Sequence, residues 1–168
     1  MSHIAFFLIL SMASLGAEPV ADPTANWKTY ADPQRGFEMK YPPEWKTRWI
    51  GDSLYVMSPA QAATRATIGV SRMPQYIPLK ELVNETMKTT AAKGHFKKSD
   101  SQLGGVKAFK LEGANDLNPD GHLLQFFADR GKDRFDVTFL VGKKEVWGNY
   151  AAIFDNVLKS FIFTAPRN

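Results

Sequence analysis

The stretch with the clearest ligand-binding character is Asp116-Leu117-Asn118-Pro119-Asp120-Gly121. It sets oxygen donors at alternate positions and a glycine where a calcium loop turns sharply. Asp116, Asn118 and Asp120 are therefore candidate ligands for Ca2+. The second half of such a loop does not follow. Its twelfth position is Phe127, where a bidentate glutamate belongs, and an extended segment replaces the expected helix. The same residues are also those that a hairpin connection demands. His95 and His122 each stand beside a glycine with no second histidine at ligand spacing, and read as surface residues. Asp129 and Asp136 sit on neighbouring segments, but a carboxylate pair does chemistry only where both line one cleft. No G-x-S-x-G, H-E-x-x-H, phosphate-loop or dinucleotide glycine motif occurs. Cysteine is absent, which excludes thiol nucleophiles, thiolate metal sites, disulfides and a lipidated cysteine. These residues point to binding, not to catalysis.

The charge balance narrows what could be bound. Twenty-one Lys plus Arg stand against seventeen Asp plus Glu, a net charge of +4. The densest basic runs are Lys97-Lys98, Arg130-Gly131-Lys132-Asp133-Arg134 and Lys143-Lys144, and acids are interspersed among them. Nucleic-acid binders concentrate positive charge on one face, so no nucleic-acid partner is expected. An acidic protein partner or a membrane-associated complex is compatible with this mild excess.

The elements that must position these residues follow from periodicity. Residues Ile4 to about Leu15 are apolar and uncharged, too few to span a bilayer, and small residues follow. Residues 1–17 read as a signal peptide cleaved after Ala17, with an uncleaved N-terminal anchor as the alternative. Export to the periplasm, a thylakoid lumen or the medium would result. Residues 18–26 read as a flexible leader and 27–165 as one domain, a size that 168 residues with 44% hydrophobic content support. Alternation predicts strands over 37–41, 47–50, 54–57, 67–73, 96–102, 106–111, 123–128 and 134–141. Leu79, Leu82, Val83, Thr86, Met87 and Thr90 recur at helical spacing between Pro78 and Gly94. A second helix is predicted over 144–160, with Trp147, Tyr150, Phe154, Val157 and Leu158 on its apolar stripe. Connections are hairpin-sized, so the sheet should be mostly antiparallel. The segment 122–128 carries apolar residues on both faces and calls for cover on each side. The predicted class is α+β, an α/β/α sandwich around a central antiparallel sheet.

Trp27-x-x-Tyr30, Asp32 and Gly36-Phe37-Glu38-Met39-Lys40-Tyr41-Pro42-Pro43-Glu44-Trp45 resemble the opening signature of PsbP-like domains. The close resembles them too: Trp147, Tyr150, Ile153-Phe154 and Leu158-Lys159-Ser160-Phe161 match their last helix and the Ser-Phe that follows it. The resemblance covers 27 to about 164. It implies the same α/β/α sandwich and a non-enzymatic accessory role, in which such domains bind, stabilise or help assemble other proteins. A role like that of an extrinsic photosystem II subunit, with assistance to calcium retention, lies within what it implies. The contact surface expected on this basis is Trp45 and Trp49 around the 42–49 turn, or Arg130 and Lys132 at a basic hairpin tip. The alternative function is a carrier of a small apolar ligand held between the 79–90 helix and the sheet.

Overall fold

Strict alternation builds the central sheet. The computed structural model describes residues 22–90, 96–115 and 118–165. Residues 1–17, read above as a signal peptide, residues 18–21 of the expected leader, Gly94, His95 and Asp116 lie outside the described residues. Strands β3 (Lys46–Ile50), β4 (Ser53–Met57), β5 (Ala66–Pro74), β6 (Lys97–Leu103), β7 (Val106–Asn115), β8 (Asn118–Arg130) and β9 (Asp133–Val141) form one seven-stranded sheet. Its order is β3-β4-β5-β9-β8-β7-β6, and every pairing is antiparallel. A smaller sheet joins β1 (Lys28–Asp32), β2 (Phe37–Tyr41) and the terminal β10 (Ile162–Phe163), with β2 in the centre.

The helices α1 (Leu79–Thr90) and α2 (Trp147–Ser160) take opposite faces of the large sheet. β5 lies third from one edge, yet the chain next resumes at β6 on the other edge. The segment between them must cross the sheet, and α1 is that crossing. Its Val83 buries against Leu111 and Phe127. On the other face, Val137 and Phe139 of β9, Ile68 and Val70 of β5 and Phe126 of β8 meet Phe154 and Val157 of α2. Phe37, Met39 and Tyr41 of β2 close the same core. Burying one such phenylalanine stabilises by about 2–3 kcal/mol, so this face carries most of the hydrophobic driving force.

Four features differ from the sequence reading. β1 occupies Lys28–Asp32, a segment without clear alternation, because β2 offers it a complementary edge. The described end of the leader, 22–26, is an ordered turn: Asp22 accepts hydrogen bonds from the Thr24 amide and hydroxyl, both at 2.8 Å. β7 and β8 run past the expected loop 115–121, because pairing continues through a register shift between Gly113 and Asn115. The last helix begins at Trp147, preceded by a 3-10 turn over Lys144–Val146. One glycine is required by its place. Gly104, in the β6–β7 turn, has φ +53°, and a Cβ there would come within 2.8 Å of the Phe163 ring.

Candidate functional site

Three of the four predicted contact residues reach one end of the molecule. The 32–36 turn, the β3–β4 tip, the 72–77 segment and the β8–β9 tip are tied together there. Arg72 donates to the Gln34 carbonyl at 2.9 Å and to Asp133 at 2.7 Å. Gln75 donates through its side chain to the Gly131 and Asp133 carbonyls, each at 3.0 Å. Trp49 is half-exposed, with the Arg35 guanidinium 4.2 Å over its ring and its indole N–H donating to Tyr30 Oη at 3.2 Å. Arg130 donates to the Gly36 carbonyl and lies over Phe163. Lys132 is exposed at the β8–β9 tip and shares a hollow with Arg35 and Arg130.

Trp45 is a correction. It is only 3% exposed, set edge-on to Tyr150 and Phe154, and so belongs to the core and cannot meet a partner. The sequence missed the apolar half of the end surface. Ile50, Tyr76 and Ile77 are exposed there, Tyr76 at 83%. For Tyr76 and Ile77 the signal was present as large apolar residues outside any predicted strand or helix, while Ile50 ends a predicted strand and carried none.

Of the predicted calcium ligands, only the side chain of Asp120 lies among the described residues. Asp116 lies outside them, and so does the side chain of Asn118. Asp120 is exposed and shares a shallow hollow with Lys143, Lys144 and Glu145. Two lysines stand against the two carboxylates, Asp120 and Glu145, of that hollow. Among the described residues no three His, Asp or Glu side chains converge to hold a metal ion. His122 is not a surface residue. Its ring centroid lies 4.1 Å from that of Trp147, and its Nε2 is 3.5 Å from Glu112 Oε1. Burial lowers its pKa, against the raising effect of Glu112.

Asp129 and Asp136 do not act as a pair. Arg134, almost fully buried, donates to both oxygens of Asp129 at 2.6 and 3.0 Å. It also donates to the Ile77 carbonyl at 2.9 Å, clamping the exposed segment onto the sheet. Asp136 instead faces an open trough on the α1 side. α1 packs through Val83 on Leu111 of β7 and Phe127 of β8, and its Thr86 borders the trough over β4, β5 and β9. Along Ala66–Val70 and Phe135–Val141 the residues facing α2 are buried while those facing α1 are half-buried. The trough holds about 330 Å3 and is lined by residues that include Tyr55, Thr67, Gly69, Ser71, Thr86, Gln125, Asp136 and Thr138. Asp136 accepts hydrogen bonds from Gln125 Nε2 at 2.7 Å and Thr138 Oγ1 at 2.9 Å. Burial pushes its carboxyl up to about 6, and the two hydrogen bonds offset only part of that. Directly beneath α1, Val83, Leu111 and Phe127 pack together, so the open space on this face lies beside the helix.

No protein-family model matches the chain, and no curated protein matches it. Solved structures do. Cyanobacterial PsbP from Synechocystis sp. PCC 6803 superimposes with a TM-score of 0.58 at 16% identity, over 89% of this chain and 98% of its own. LpqN of Mycobacterium tuberculosis, described as involved in cell envelope biogenesis, gives 0.59 at 14% identity, over 83% and 92%. A protein of unknown function from Pseudomonas aeruginosa, described as a putative regulator, gives 0.56 at 16% identity, over 84% and 98%. The fold is PsbP-like, α+β with a large antiparallel sheet and two helices. Among the described residues no helix is long and apolar enough to cross a membrane.

Proposed function

We propose that this chain is an extracytoplasmic, non-catalytic accessory domain that binds a partner protein or a membrane-associated complex through its loop end. One observation carries the reading. Of the five exposed large hydrophobic residues among those described, Trp49, Ile50, Tyr76 and Ile77 belong to this end. Arg35 lies over Trp49 and lines a hollow with Arg130 and Lys132 at the same end. Aromatic anchors inside a charged rim are what a protein interface presents. The partner's complementary surface would be acidic at its margin and apolar at its centre. A non-catalytic role is supported by the placement of the histidine and the carboxylate whose protonation burial disturbs. His122 and Asp136 lie on opposite faces of the sheet, so they cannot serve one reaction as acid and base.

The apolar N-terminal run and the likeness to a protein of envelope biogenesis support export. The likeness to cyanobacterial PsbP makes a photosystem-type assembly one candidate partner. An envelope assembly is the other. Affinity capture of the tagged chain from the exported and membrane fractions, at near-physiological salt, tests the reading. A Trp49→Ala/Tyr76→Ala variant should retain less than about a tenth of the captured partner, since each anchor is worth about 2 kcal/mol. Recovery of the wild-type chain alone, or equal recovery with the variant, would reject the surface.

A further inference from the structure

We propose that the open trough beside α1 binds a small primary amine that also carries hydroxyl groups, with its ammonium seated on Asp136. The argument starts from what Asp136 lacks. The chain carries a net charge of +4, and Asp129, Asp133 and Asp32 are each matched to an arginine. Asp136 is half-buried in the trough, yet its two partners, Gln125 and Thr138, are neutral. An asparagine would satisfy the same two partners without the cost of burying a charge. A carboxylate held there against that cost is matched by a cation that comes from outside.

The rest of the trough says what else the ligand carries. No other charged side chain lines it. The Tyr55, Thr67 and Thr86 hydroxyls line it and make no hydrogen bond among the described residues. They remain free to pair with ligand hydroxyls, and the Tyr55 ring gives a flat apolar wall. A volume of about 330 Å3 suits a molecule of roughly ten heavy atoms. Gly69 leaves the floor open between Tyr55 and Thr138. This site is distinct from the loop end, and its test does not depend on that surface.

Calorimetric titration of the full chain at pH 8 compares 2-aminopropane-1,3-diol with glycerol, its uncharged isostere. Saturable heat is expected from the amine, with glycerol at least tenfold weaker. Asp136→Asn should weaken the amine at least tenfold and leave glycerol unchanged. Gly69→Leu fills the trough while keeping the carboxylate, and should abolish both. Beside Asp136 on this face stand Ser71 of β5, Phe127 and Gln125 of β8, Thr138 of β9 and Thr86 of α1, none of which titrates; one pleat further lie Arg134 and Asp129, paired with each other, and Tyr55 of β4 lines the same trough. Amine binding should therefore fall about tenfold from pH 8 to pH 5 as the carboxyl gains its proton. Equal affinity for amine and glycerol, no saturable heat with the amine, or an amine affinity unchanged by Asp136→Asn would each overturn the proposal. Thermal melts of both variants confirm that any loss is not unfolding.

Discussion

At Asp136 the ionised form is the unfavourable one, and that sets a pH dependence. Its folded pKa is about 6 against an ordinary 3.8. Between those values the folded chain holds a proton that the unfolded chain has lost. The stability tied to this group is therefore greatest below about pH 4 and falls as pH rises through 6, by up to about 3 kcal/mol. Asp136→Asn keeps both hydrogen bonds, because the Thr138 hydroxyl can reverse from donor to acceptor. The variant should melt about 3–8 °C higher than wild type at pH 8 and equally at pH 4. Melts showing the same shift at both pH values would refute the assignment. The two tryptophans of the 42–49 segment separate in the same way. Trp45→Ala empties a core position and should cost about 3–5 kcal/mol by denaturant titration. Trp49→Ala should stay within about 1 kcal/mol, because its ring rests on Arg35 at the surface.

Among the elements, the helices differ in how firmly they are held. α2 buries Phe154 and Val157 in the large core, and its Ser160 hydroxyl accepts from the Lys40 amide of β2. α1 buries Val83 in a cluster of three fully buried residues. Fewer apolar contacts mean a lower free energy of local opening. Hydrogen exchange should show the amides of α1 less protected than those of α2, and equal protection would contradict the two-core description. β3 is a sheet edge exposed along its whole length, where Lys46 and Arg48 discourage pairing with another chain. It supports Trp49 and Ile50 without burying them, which is how an edge strand becomes part of the loop-end surface.

For the whole molecule, the topology brings the turns of distant segments to one end and leaves part of one sheet face open. The return of β6 to the far edge makes α1 cross the sheet, and a twelve-residue helix covers only part of seven strands. Both candidate surfaces follow from that geometry. The remaining question at this scale is where the domain works. If residues 1–17 are removed on export, the intact mass of protein recovered outside the cytoplasm should correspond to a chain starting at Glu18. A mass that includes Met1 would overturn the cleaved leader.

Much of the architecture was legible in the residues, because burial imposes a period on each element. Phe135, Val137, Phe139 and Val141 alternate because one face of β9 is core, and the spacing of Leu79 to Met87 marks α1 for the same reason. The 27–45 segment and the 147–161 segment similarly carried the likeness to the PsbP-like fold. The position of Trp45 was not legible. A tryptophan after a Pro-Pro turn reads alike whether its ring points inward or outward, and only the approach of α2 decided it. The same holds for Asp136, whose polar neighbours Gln125, Thr138, Ser71 and Thr67 come from three strands up to about seventy residues apart. Local sequence determines which face of a strand a residue occupies. Which strands lie side by side, and how far a helix extends across them, is a property of the assembled sheet, and that is where the trough and the loop-end surface arise.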